Sequence, residues 1–75
     1  MRGFKTLDLH GLRHHEVEIK LENFVYLNQD EIPLIIICGN SSKMTQIVTS
    51  TLKKNNISYR LGEGLDYGRI VIDKI

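Results

Sequence analysis

Seventy-five residues, 41% of them hydrophobic and 25% charged, predict one folded domain over 1–75 and exclude disorder, which needs low hydrophobicity and high net charge. A chain this short hides only about 60% of the surface its unfolded form exposes, so the core must be economical. A formal net charge of +1 excludes a binder that is basic all over.

The charge is nonetheless divided unevenly. Residues 1–38 carry four Lys/Arg against six Asp/Glu, a net −2, and residues 39–75 carry six against three, a net +3. A phosphate-contacting surface is therefore expected in the second half. The single cysteine, Cys38, has no partner for an internal disulfide, which fits a reducing compartment. The N-terminus lacks an apolar stretch of signal-peptide length, and the longest apolar run, Leu34 to Cys38, is too short to span a bilayer. A cytoplasmic protein is the expectation.

In chain order, Phe4 to His10 alternates, with Leu7 and Leu9 facing one way and Thr6, Asp8 and His10 the other. That period predicts a half-buried strand ended by Gly11. From Arg13 to Asn28 the apolar residues Val17, Leu21, Phe24 and Val25 fall on one helical stripe, with Glu16, Glu18, Lys20 and Glu22 on the solvated side. Gln29 to Pro33 is a polar connection. Leu34-Ile35-Ile36-Ile37-Cys38 is a β-branched run, expected as a strand covered on both sides or central in a sheet. Gly39 breaks it. Met44, Ile47, Val48, Thr51 and Leu52 predict a second helix, capped by Asn40, Ser41 or Ser42 and ended by Asn55-Asn56. Ile57 to Leu61 and Arg69 to Ile75 predict two more strands, joined by a loop from Gly62 to Gly68.

The order β-α-β-α-β-β predicts an α/β two-layer sandwich. The first strands pair in parallel through right-handed crossovers, the last pair is antiparallel, and both helices lie on one face. The carboxyl ends of the first two strands then lie side by side, at the edge where open α/β sheets bind ligands. There Asp8-Leu9-His10-Gly11 faces Cys38-Gly39-Asn40-Ser41-Ser42-Lys43. Asp8 and His10 project on the same side, so the carboxylate is expected to orient the imidazole for general acid–base work. The bland alternative is a surface Asp–His pair at a strand end. The free N–H groups opening the second helix attract phosphate, Gly39 lets a ligand approach the backbone, and Lys43 adds a charge. The turn is equally read as a plain helix cap. The loop after the third strand is expected to bring Arg60, Tyr67 or Arg69 over the same edge.

Other candidates carry less. His14 and His15, adjacent at a helix start, point apart and read as solvated residues. One cysteine and three clustered histidines do not form a recognised zinc spacing. Cys38, closing an apolar strand, reads as a buried, inert thiol. The Gly62–Gly68 loop lacks the spacing of a Walker or dinucleotide motif. Lys53-Lys54 reads as a solvated helix end.

Three segments resemble the Smr (small MutS-related) family. Leu7-Asp8-Leu9-His10-Gly11 is similar to its LDLHG signature, and Ile36-Ile37-Cys38-Gly39-Asn40-Ser41 to its second motif. Gly68-Arg69-Ile70-Val71-Ile72 is similar to its closing strand. Cys38 stands where that family carries His or Thr, the second motif lacks a second glycine, and the closing motif keeps only Gly68. The resemblance covers nearly the whole chain. It implies a fold like the C-terminal domain of bacterial translation initiation factor three, in which the last strand is inserted beside the second of a mixed four-stranded sheet. It also implies an endonuclease acting on structured RNA or DNA. Asp8 and His10 would serve cleavage, and Gly39 and Asn40 would serve nucleic-acid binding or catalysis.

Together these readings place Asp8 and His10 in catalysis. Gly11, Arg13, Gly39, Asn40, Ser41, Lys43, Arg60 and Arg69 are placed in nucleic-acid binding. RNA, slightly favoured over branched DNA, would be cut through its 2′-hydroxyl without a cofactor, whereas DNA would need water and a divalent ion on Asp8. The alternative is a non-catalytic module that recognises nucleic-acid structure.

Overall fold

The computed structural model describes residues 4–62 and 68–75. The chain forms β1 (Thr6–Asp8), α1 (His14–Leu27), a short 3-10 turn (Gln29–Glu31) and β2 (Leu34–Ile37). It continues through α2 (Ser42–Lys54), β3 (Ser58–Leu61) and β4 (Arg69–Lys74). The four strands form one mixed sheet in the order β1-β2-β4-β3. β1 pairs with β2 in parallel, Asp8 opposite Ile37, and β4 runs antiparallel to both its neighbours, β2 and β3. β1, β2 and β3 thus point the same way, with β4 inserted between the second and third.

One core joins the two layers. From the sheet come Leu9, Leu34, Ile36, Cys38, Ile70 and Ile72; from the helices come Val17, Leu21, Val25, Met44, Val48 and Leu52. Alternation accounts for the sheet side. Leu34 and Ile36 are buried while Ile35 and Ile37 are half-buried on the opposite face, and Ile70 and Ile72 alternate likewise with Val71. The continuous β-branched run is therefore that of a strand central in a sheet with helices on one face only, not of a strand covered on both sides.

Two boundaries show how local chemistry ends each element. At the start of α2 the Ser41 hydroxyl accepts from the Met44 N–H at 3.0 Å, so Ser41 is the cap among the three candidates. At its end Asn56 takes a left-handed φ of 58°, a conformation asparagine tolerates after a helix. Ser41→Ala should cost about 1 kcal/mol of stability, read as a lower urea midpoint with an unchanged slope.

The helices also meet through charges that periodicity had placed in solvent. Lys54 forms an ion pair with Glu18, and the Asn55 amide donates to Glu22 at 3.0 Å. Glu18 and Glu22 are half-buried against α2 rather than fully solvated, and Lys54 is a paired helix end. The hydrogen bond and charge of Glu18 raise the Lys54 pKa above that of an ordinary lysine. The Lys54 and Glu18 side chains are still 62% and 44% exposed, so solvent screens this pair and it adds little to stability.

Candidate active site

Parallel pairing of β1 with β2 sets the two strand tips side by side. Leu9 N–H continues the ladder past β1, donating to the Ile37 carbonyl at 2.9 Å, and Leu9 is fully buried. Burying Leu9 turns Asp8 and His10 outward, and both are exposed. Gly11, with φ +87°, then swings the chain toward α1, and Leu12 N–H closes the turn on the Leu9 carbonyl at 3.0 Å. On the second tip Gly39 has φ +71°. A Cβ built there would lie 3.8 Å from His10 Cδ2, so the imidazole lies on the side of Gly39 that a side chain would occupy. The expected juxtaposition of His10 with the glycine turn is present.

The role expected of the Asp8 carboxylate is not the one observed. Its Oδ1 accepts from the backbone N–H of His10 at 2.9 Å, so the hydrogen bond described for it goes to the main chain and not to the imidazole. The physical reason is that β1 ends at Asp8. Once the chain turns, a short carboxylate reaches the backbone two residues on, as Asp does in Asx-turns. Asp8 shapes the turn that presents His10.

The third contributor is Gly68, the residue before β4. Its carbonyl accepts from Cys38 N–H at 2.6 Å and from Gly39 N–H at 3.2 Å. A Cβ on Gly68 would stand 2.7 Å from the Gly39 carbonyl oxygen, so the two glycine backbones are in direct contact. This support for the turn was not read from the sequence, where Gly68 only ended a loop and opened the segment similar to the family's closing strand. A glycine at a strand end signals close backbone approach, but not which backbone.

The remaining candidates divide. Asn40 is exposed and follows Gly39, and Ser41 has its hydroxyl engaged as the helix cap. Arg13 is exposed at the cap position of α1, with no side-chain hydrogen bond to the helix start. Arg69 lies opposite Ile37, whose other neighbour is Asp8. Asp8, Ile37 and Arg69 thus form one row across the helix-free face, with Asp8 and Arg69 roughly 10 Å apart. Two of the expected contributors lie elsewhere. Lys43 is in the first turn of α2, but it lines the groove toward α1 with Glu18 and Lys54, because its helical position faces that neighbour. Arg60 is held by Asp73 across the β3–β4 pair, Nε to Oδ2 at 2.8 Å and Nη2 to Oδ1 at 3.2 Å. The insertion of β4 places Arg60 two strands from β2, and the Asp73 carboxylate raises its pKa further. Tyr67 lies outside the described residues. His14 and His15 are exposed in the first turn of α1.

Cys38 is 3% exposed, and its burial pushes the thiol pKa up, opposed by the adjoining Thr45 hydroxyl. A thiol held protonated beneath the turn is a packing group, not a nucleophile. Among the described residues no three His, Cys, Asp or Glu side chains converge to hold a metal ion. Also among them, no helix is long and apolar enough to cross a membrane.

The fold and site define a two-layer α+β domain with an imidazole set against a glycine turn at the carboxyl edge of its sheet. Searches of family models, curated proteins and solved structures return no match for this chain.

Proposed function

We propose that this domain is a nucleic-acid endonuclease of the Smr type, with RNA the favoured substrate. The observation that carries this reading is the His10 imidazole against Gly39, next to the opening turn of α2. A scissile phosphate seated beside the Gly39-Asn40 turn would meet the backbone N–H groups that open α2 and the positive end of its dipole, the Gly39 N–H being taken by the Gly68 carbonyl. His10 would then lie within reach of its substituents. In RNA, His10 takes the proton of the 2′-hydroxyl as its oxygen bonds to phosphorus. The bond to the 5′-oxygen breaks, that oxygen is protonated from water, and a 2′,3′-cyclic phosphate remains. Arg69, in the same row as Asp8, would add positive charge near the substrate backbone. In DNA, which has no 2′-hydroxyl, water must attack, and a divalent ion would have to be held with few protein ligands. A cytoplasmic setting suits a chain whose single cysteine is a buried thiol.

One observation favours a second reading, a binding module without turnover. Asp8 Oδ1 accepts from the His10 backbone, and among the described residues no hydrogen bond joins the Asp8 carboxylate to the imidazole it was expected to orient. The test is cleavage of end-labelled structured RNA and branched DNA, with and without EDTA, together with binding measured at several salt concentrations. The enzyme reading expects RNA fragments ending in 2′,3′-cyclic phosphate in the presence of EDTA. Salt-sensitive binding with both substrates left intact would establish the module instead.

A further inference from the structure

Leu61 is the last residue of β3 and pairs with Ile70 of β4, whose side chain is buried under the helices. Leu61 should therefore be covered as well, yet it is 55% exposed. The helix layer stops short of this corner and leaves a cavity of about 290 Å³. Its walls are Leu61, Gly62, Arg69 and Ile70 on the sheet side and Ser42, Thr45 and Gln46 on α2, with Gly68 at the end nearest the candidate active site.

We propose that this cavity holds the base of a nucleotide flanking the scissile phosphate, with adenine preferred. The inference rests on the nucleic-acid reading above and deepens it. Contiguity is the first argument. Gly68 forms one wall of the cavity and also touches the Gly39 backbone, and the His10 ring lies beside Gly39. A nucleotide with its phosphate on the Gly39 turn has this cavity beside it.

Chemistry is the second argument. A base has an apolar face and a polar edge. Leu61 and Ile70 offer an apolar wall, while the exposed Ser42 hydroxyl and Gln46 carboxamide stand on the α2 side. The Thr45 hydroxyl already donates to the Ser41 carbonyl at 3.1 Å, and Ser42 offers a single hydroxyl, whereas the Gln46 carboxamide presents a donor and an acceptor side by side in one plane. A glutamine carboxamide matches the N6 and N7 edge of adenine with two parallel hydrogen bonds. The volume is the third. It sits at the small end of ligand clefts, roughly 300–1,000 Å³, which suits one base and not a duplex.

The experiment titrates the ¹⁵N-labelled chain with the four ribonucleoside 5′-monophosphates and with inorganic phosphate. AMP is expected to shift the amides of Thr45, Gln46 and Ile70 and to bind about fivefold more tightly than UMP. Gln46→Leu, at an exposed helical position, should fold as before and lose that preference. Equal affinities with shifts confined to Gly39 and Asn40, the same as those produced by phosphate, would overturn the base pocket and leave the phosphate site standing. So would a preference for AMP that survives in Gln46→Leu. No shift with any nucleotide or with a short RNA would overturn both the pocket and the nucleic-acid reading.

Discussion

Gly68→Ala should cost about 3 kcal/mol or more, a large share of the stability of a domain this size, which is roughly 4–11 kcal/mol. Two costs combine. Gly68 has φ +91°, a region that costs an L-residue about 1–2 kcal/mol. Its new Cβ would also meet the Gly39 carbonyl oxygen at 2.7 Å and the carbonyl carbon at 3.1 Å. Those are backbone atoms, so no side chain can rotate away, and the contact is relieved only by parting β4 from the turn after β2. That movement weakens the bonds from Cys38 and Gly39 N–H to the Gly68 carbonyl.

Gly39→Ala is the internal control. Its φ of +71° carries a similar conformational cost, but its Cβ would find only His10 Cδ2 at 3.8 Å, an ordinary contact. It should lose about 1–2 kcal/mol, from conformation alone. Urea unfolding of both variants checks the difference, and equal losses would mean that the two backbones are not in the contact described.

His10→Ala should lower RNA cleavage by about 10²- to 10⁴-fold, the usual contribution of a positioned acid–base group, while leaving fold and affinity nearly unchanged. The residue is exposed, so no core contact is lost. Asp8 variants separate two roles for the carboxylate. Asp8→Asn keeps an oxygen able to accept from the His10 N–H and removes the charge; Asp8→Ala removes both. If Asp8 serves only to shape the turn, Asp8→Asn cleaves at close to the normal rate and Asp8→Ala does not. If its charge acts on the imidazole, both variants lose activity together. Gel assays of single-turnover cleavage, with binding measured in parallel, read these outcomes. Cleavage retained by His10→Ala would remove the imidazole from the mechanism.

Local pattern carried the elements and the adjacency of the two tips. The alternation of Leu7 and Leu9 with Thr6, Asp8 and His10 is a property of any strand with one buried face, and it sends Asp8 and His10 outward whatever lies beneath. The helical stripes of Val17-Leu21-Val25 and Met44-Val48-Leu52 follow from the same kind of period. An alternation of strands and helices then requires parallel tips at one edge, which brings His10 to Gly39.

What neighbours do to one another was decided only in three dimensions. Lys43 leans toward α1 and Arg60 is taken by Asp73, because helix packing and the position of β4 determine which partner a long charged side chain finds. The Asp8 carboxylate turns to its own backbone because β1 ends one residue before the turn, and strand ends are set by pairing rather than by propensity. Gly68 meets Gly39 because β4 slots between β2 and β3, a contact between residues far apart in the chain. Periodicity along a sequence says which face a residue occupies; only the assembled sheet and helices say what stands opposite it.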